Sequence, residues 1–538
     1  MKKGKWVFVC LIVLAAAFRI SVAHWLPNDV PDDGRVYAQI SRNMLERHVY
    51  SHDSEAPFAP SLIRLPGYPL FLAAIYSVFG HINNGAVRIM QALVETGTCV
   101  LIAVLAFYWQ PDEKKKRASA LAALVLAAVC PFTTIYVATI LTEVLTNFLV
   151  MALMLAVTLA FRKSDVSRAN SLFWWTVSGL IGGVAVLMRP DNGLFLAAVG
   201  ITLVLTGLWP LFLGLRRKSK TKNQRPKAKS VLAQLLIAGT IFSVAFALVL
   251  TPWTIRNWRV FHVFQPLSPA HAEMPGEFVP HGYEQWLRTW LDDDKYVAPF
   301  LWSLDAEELD IDEVPASAFD SAEEKARVAA LFEKYNHAAE EEDDSDTTDQ
   351  DQKEEPENQA EESQTEPLQA NEPPPVEMTP EIDAGFGQLA RERIARHRFR
   401  YYVWLPIERA RTMWFDTHSQ YWPFEGALLP LEDLDYEHHQ HIWLPLFAGL
   451  TAVYTILGMA GALVLWFSRQ FAARRWLLLV ALAIFLRLAL FSSIENPEPR
   501  YLVEFFPFLS ILGGIAIARI PGLRARTPSS AIPAEDRA

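Results

Sequence analysis

Several short blocks place ionisable side chains where such groups are costly unless they have a task. Asp32 and Asp33 open a segment, 33–46, in which Val36, Ile40, Met44 and Leu45 recur at helical spacing, and Tyr37 stands one turn beyond Asp33 on the same face. The functional reading is a carboxylate held at a membrane surface, with Tyr37 beside it. Thr142-Glu143 sets a second acid at the start of an apolar run. Guanidinium groups occur in Arg64-Leu65-Pro66-Gly67-Tyr68-Pro69, Arg189-Pro190, Arg256-Asn257 and Arg500-Tyr501. Guanidinium binds phosphate through two parallel hydrogen bonds, so these blocks suit a phosphate clamp or another anionic substrate site. Each block also has a plainer reading. An acid in a first helical turn caps free N–H groups and complements the helix dipole. An arginine at a helix end can anchor to a lipid headgroup.

The elements that must position these residues are membrane helices. The chain has 538 residues, of which 51% are hydrophobic and 20% charged. A bilayer core about 30 Å thick needs about 20 mostly apolar residues to cross it. About ten such runs occur, near 6–26, 84–109, 118–138, 141–161, 172–188, 193–213, 231–253, 442–467, 475–492 and 499–519. A shorter run, 66–79, falls below spanning length. The first run follows Met1-Lys2-Lys3-Gly4-Lys5 but ends at Trp25-Leu26-Pro27, a poor site for signal-peptide cleavage. The fold class expected is an all-α polytopic membrane protein.

Lysine and arginine cluster in alternate loops: Lys2, Lys3 and Lys5; Lys114–Arg117; Arg162, Lys163 and Arg168; Arg216–Lys229; Arg469, Arg474 and Arg475; Arg519, Arg524 and Arg526. By the positive-inside rule these segments are cytoplasmic, as are both termini. The acid and arginine blocks then fall on the outer side of a cytoplasmic membrane, where arginine runs against the trend and calls for an anionic partner. The expected organisation is a membrane core over 1–255 with a first outer loop at 27–83, a large extracytoplasmic segment over 256–441, further membrane helices over 442–519 and a cytoplasmic tail over 520–538. Within the large outer segment, Glu340–Glu381 holds 17 acidic residues and one lysine, Lys353. It is proline-rich and almost free of large apolar side chains, so it reads as a disordered insert. Its flanks carry Trp286, Trp290, Trp302, Tyr401, Tyr402, Trp404, Trp414 and Trp422, residue types that favour a membrane surface.

Other polar groups read as structural. Arg88, Gln91 and Glu95 share one helical face and Arg487 lies in the ninth run, which suits pairing between helices. Cys10, Cys99 and Cys130 lie in apolar runs as small hydrophobes. His438, His439 and His441 lack the acid or thiol partners of a usual metal site. These residues identify no cofactor. Two acids near a phosphate leave a divalent cation open, but no ligand set is evident. No glycine-rich phosphate loop or nucleophile elbow occurs, and no nucleic-acid partner is expected.

Six of the blocks carry a resemblance. Asp32-Asp33-Gly34-Arg35-Val36-Tyr37-Ala38-Gln39-Ile40-Ser41-Arg42-Asn43, Arg64 to Leu72, Leu141 to Leu145, Met188-Arg189-Pro190, Thr251 to Asn257 and Glu498-Pro499-Arg500-Tyr501 resemble, in this order, the GT-C superfamily of integral-membrane glycosyltransferases. The likeness is to the bacterial branch of protein O-mannosyltransferases and lipid A aminoarabinose transferases. It implies a polyprenyl-phosphate sugar as donor and a lipid, glycan or protein acceptor, among membrane lipids. It implies Asp33 as catalytic base, with Asp32 as rival because Gly34 takes the place of the usual Glu. It also implies Glu143 as a second acid lining the cavity, and Arg64, Arg256, Arg500 or Arg189 near the donor phosphate. Tyr37, Tyr68 and Tyr501 would line the same pocket. Partial burial is expected to raise the carboxyl pKa of Asp33 toward the working range. The competing readings are a transporter or lipid flippase, against which the absence of repeated halves counts, and a non-enzymatic envelope scaffold.

Overall fold

The computed structural model describes residues 2–26, 32–80, 82–164, 167–216, 228–337, 376–415 and 440–520. These residues are helical or irregular, with no strand among them. The chain divides into two compact units: Met1–Pro275 with Thr417–Leu488 and Arg500–Ala538, and Gly276–Asp416 with Ala489–Pro499. The sequence-read boundary at 255 falls inside the helix Ala228–Phe261, and the one at 441 inside the helix Gln440–Trp466.

The first unit is a multi-pass membrane body. Eight of its described helices are long and apolar enough to cross a bilayer: Lys5–Trp25, Asn84–Trp109, Glu143–Lys163, Arg168–Met188, Pro190–Trp209, Val231–Phe261, Pro445–Trp466 and Pro499–Ile517. A ninth is reached if the pair Glu113–Ala128 and Pro131–Val137, bent by 56°, crosses as one. The bend has a local cause. Pro131 cannot donate a backbone hydrogen bond, and Cys130 before it is extended. The carbonyls freed at the break are met by Arg19, which donates to Ala127 O at 2.8 Å and Ala128 O at 3.1 Å. Glu95 balances Arg19 from 3.7 Å. The run read as the ninth span, 475–492, lies in the helix Phe471–Phe491. Arg474, Arg475 and Arg487 make it too charged to count by the same measure. The short apolar run is the helix Gly67–Phe79, below spanning length as its 13 residues dictate.

The second unit has its own core. Its helices are His281–Leu287, Ala322–Asn336, Pro380–Arg396 and Leu405–Phe415. Tyr283, Trp286, Trp290, Phe332 and Phe386 are almost fully buried there and meet edge-on or tilted at 5.0–6.0 Å. Trp286 and Trp290 are thus core residues rather than membrane-surface residues, whereas Trp302, Tyr402 and Trp404 are exposed. Trp422 lies outside the described residues. The acidic insert also lies outside them as far as residue 375. Val376 and Met378, at its sequence-read end, are buried in this unit, and Thr379 caps the helix that begins at Pro380.

Candidate active site

The site builds on two short helices of the first unit. Asp32–Glu46 is strongly amphipathic and lies against Gly67–Phe79. Ser41 Oγ is 2.7 Å from Tyr37 O and 2.9 Å from Pro69 O, which ties the two helices together. Asn43 Nδ2 donates to Ser51 O and Asp53 O, each at 2.9 Å, and so folds the following loop back.

Gly67 explains the Pro-Gly-Tyr-Pro block. A Cβ on Gly67 would stand 2.5 Å from Leu187 O and 2.8 Å from Met188 N. Only a residue without a side chain lets this helix start abut the backbone that ends Arg168–Met188. The contact brings Arg64, three residues upstream, into the same corner as Arg189.

There the sequence-predicted residues meet. Arg64 Nη2 donates to Asp33 Oδ1 at 2.7 Å, and Arg500 Nη1 lies 3.6 Å from Asp33 Oδ2. The side chains of Asp33 and Arg64 keep 29% and 27% of their exposure, so the pair is reachable from water. Burial pushes the Asp33 carboxyl up, but Arg64 and then Arg500 outweigh it and hold the group below the usual carboxylate range. The upward shift expected from burial alone is therefore reversed in this state. Tyr37 meets Tyr68 edge-on at 5.1 Å, and its phenol is pushed up to about 12, by burial first and by Asp33 second. It stays protonated, a donor beside a carboxylate. Tyr68 donates to Gln91 Oε1 at 2.8 Å, and Gln91 Nε2 donates to Thr139 O at 2.7 Å.

Behind this corner lies a drier network. Glu143, 2% exposed, accepts from Arg189 Nη1 at 2.9 Å. Arg189 Nε is 3.2 Å from Asp191 Oδ1 and its Nη1 is 3.6 Å from Glu504 Oε1. Arg487 pairs with Asp191, and its Nη2 is 3.1 Å from Glu504 Oε2. Tyr501 joins the two groups: the guanidiniums of Arg189 and Arg500 lie over its ring at 5.6 and 5.4 Å, and its carbonyl accepts from Arg487 Nε at 3.1 Å. Thr142 makes no side-chain cap at the start of Glu143–Lys163. The acid there serves an ion pair.

Arg256 is not brought to the acids. Its Nη1 donates to Ser61 O at 2.7 Å and to Asn257 Oδ1 at 2.9 Å, and its Nη2 to Tyr50 O at 3.4 Å. It clamps the loop whose far end is Arg64, and Tyr50 OH reinforces it by donating to Arg64 O at 3.0 Å. The Asp32 side chain, His438 and His439 lie outside what the structure describes. Asp33, Glu143, Asp191 and Glu504 each meet a guanidinium.

Asp191, Glu504 and Arg19 were not singled out from the sequence. The signals were present. Asp191 is an acid at the start of an apolar run, as Glu143 is. Arg19 and Glu504 are charges inside apolar runs, the feature that drew attention to Glu95 and Arg487.

Residues 60–221 match the family model described as dolichyl-phosphate-mannose-protein mannosyltransferase. That stretch holds three of the six blocks, those at 64–72, 141–145 and 188–190. Among solved structures, the chain is similar to the archaeal oligosaccharyltransferase AglB from Archaeoglobus fulgidus in complex with an inhibitory peptide and a dolichol-phosphate. The identity is 13% and the TM-score 0.47, over 96% of this chain and 50% of that one. It is also similar to ArnT from Cupriavidus metallidurans, in the apo state (15% identity, TM-score 0.33) and bound to undecaprenyl phosphate (15%, 0.35), in both cases over 95% of this chain and 78% of the other. The chain spans about half the length of AglB. No curated protein matches it.

Proposed function

We propose that this chain is a membrane glycosyltransferase of the GT-C type. It moves a sugar from a polyprenyl-phosphate donor to an acceptor hydroxyl or amine at the outer face of the cytoplasmic membrane. The observation that carries the reading is the Asp33 carboxylate held between Arg64 and Arg500 where water reaches it. The matched mannosyltransferase family model and the positive-inside pattern of the loops support it.

The chemistry is a single displacement. The acceptor oxygen attacks the anomeric carbon, the bond from that carbon to the phosphate oxygen breaks, and the sugar inverts. Asp33 receives the hydroxyl proton, a role usually worth about 10²–10⁴-fold. The leaving phosphate gains charge, and Arg64 and Arg500 are placed to bind it. As those guanidiniums turn to the phosphate, Asp33 loses the partners that depress its pKa and becomes a better base when the donor is bound. Tyr37 and Tyr68 wall the pocket, and Glu143 with Arg189 fixes its floor. The lipid chain of the donor stays in the bilayer while its headgroup enters the corner.

The test uses full-length protein in liposomes with a panel of radiolabelled polyprenyl-phosphate sugars. Asp33→Asn is expected to lower sugar release and transfer by about 10²–10⁴-fold while the thermal midpoint stays close to wild type. Full activity in that variant would end the scheme. Movement of intact donor across the bilayer without cleavage would establish a flippase instead.

A further inference from the structure

The second unit carries a helical face that no other described residue of the unit covers. From Arg398 to Phe415 the chain is helical, with a π-helical turn at Arg400–Trp404. Leu405, Arg409 and Met413, spaced by four, are buried. Arg409 is fixed there by donating to Leu291 O and Arg288 O, each at 2.7 Å. The opposite face is apolar and open: Phe399 is 70% exposed, Tyr402 66%, Trp404 50% and Ile407 53%. The wide π turn turns three successive side chains, Tyr402, Val403 and Trp404, outward together.

Two arginines flank the start of this face. Arg398 is exposed, and Arg400 lies at the start of the π turn with one donor on Ser317 O at 3.1 Å. Glu408, the acid on this helix, is neutralised by Arg411 at 2.6 Å. An aromatic and aliphatic face edged by arginine is the composition of a helix that lies in the plane of a membrane interface. Tyrosine and tryptophan favour that depth, and arginine adds attraction to anionic headgroups. Chain continuity keeps a bilayer within reach. The unit follows the membrane helix Val231–Phe261 and precedes Pro445–Trp466, and its segment Ala489–Pro499 leads into Pro499–Ile517.

We infer that residues 398–407 dock the second unit onto an anionic phospholipid surface, with Phe399, Tyr402, Val403, Trp404 and Ile407 in the acyl–headgroup boundary and Arg398 and Arg400 against lipid phosphates. This docking is separate from donor binding at Asp33.

Full-length protein carrying Cys10→Ser, which leaves the two buried cysteines Cys99 and Cys130, takes a nitroxide at Tyr402→Cys or, as control, at the exposed Lys325→Cys. Each is placed in nanodiscs of phosphatidylcholine alone or mixed with phosphatidylglycerol. Power saturation is measured with oxygen and with a water-soluble nickel chelate. The oxygen-to-chelate accessibility ratio is expected to be several-fold higher at 402 than at 325 and to rise further with phosphatidylglycerol. Arg398→Glu should remove that further rise. Equal ratios at 402 and 325 in both lipid mixtures would overturn the inference. Shielding of 402 that appears only when a protein or glycan acceptor is added would overturn it too, and would make the face an acceptor surface.

Discussion

Two sets of acids and arginines share the membrane unit, and they differ in how much water they meet. Asp33 and Arg64 keep more than a quarter of their side-chain exposure, whereas Glu143, Asp191, Glu504, Arg189 and Arg487 keep 12% or less. The difference decides what each set can do. An exposed ion pair contributes little and exchanges partners easily. A buried charge whose partner is removed costs several kcal/mol. The exposed Asp33–Arg64 pair can therefore hand Arg64 to a phosphate, with Arg500, 12% exposed, beside it, while the inner set must stay paired and can only hold the pocket in shape.

The largest expected effect lies in the inner set. Arg189→Ala strips a partner from Glu143, Asp191 and Glu504 at once. It should destabilise the protein by about 3–5 kcal/mol, seen as a fall in thermal midpoint and in recovery of monodisperse protein. If Arg189→Ala kept its midpoint and lost only transfer, the inner set would be reacting rather than fixed, and the contrast between the two sets would break.

Gly67→Ala tests the joint between the sets. The added methyl must displace the Leu187 carbonyl or the helix start. Overpacking of this kind costs about 1–3 kcal/mol. Because Arg64 is three residues away, transfer should fall further than the midpoint predicts. Gly67→Ala with wild-type turnover would show that the close approach does not set the position of Arg64. Arg256→Ala is milder. It frees the carbonyls of Ser61 and Tyr50, at about 0.5–1.5 kcal/mol for each lost hydrogen bond. A loop clamp should raise KM for the donor several-fold and change kcat little; a fall in kcat with KM unchanged would return Arg256 to the phosphate.

The sequence made much of this legible because its strongest signals are local. Span positions follow from runs of apolar residues, and Asp33, Tyr37, Arg64, Glu143, Arg189 and Arg500 stand out as charges or phenols at the ends of those runs. What stayed hidden depends on partners far apart in the chain. Arg256 has the same local signal as Arg64, yet its donors go to carbonyls about 200 positions away. Trp286 has the same residue type as Trp404, yet one fills a core and the other faces out. The sign of the Asp33 shift could not follow from burial alone, because it is set first by Arg64, 31 positions later, and then by Arg500, 467 positions later in the chain.

That shift gives the finest test of the contrast. A carboxyl held below its ordinary range adds stability above its unfolded pKa and loses it as pH falls through the lower folded value. Wild type should therefore lose stability on acidification through the carboxylate range relative to Asp33→Asn. The effect is small because the pair is partly exposed. The kinetic consequence is sharper. The acid limb of kcat/KM reports the free enzyme, in which Arg64 and Arg500 depress Asp33, while the limb of kcat reports the donor complex, in which they bind phosphate. The kcat limb should then lie at higher pH than the kcat/KM limb. Coincident limbs would mean that the arginines never leave Asp33, and the outer set would be as fixed as the inner one.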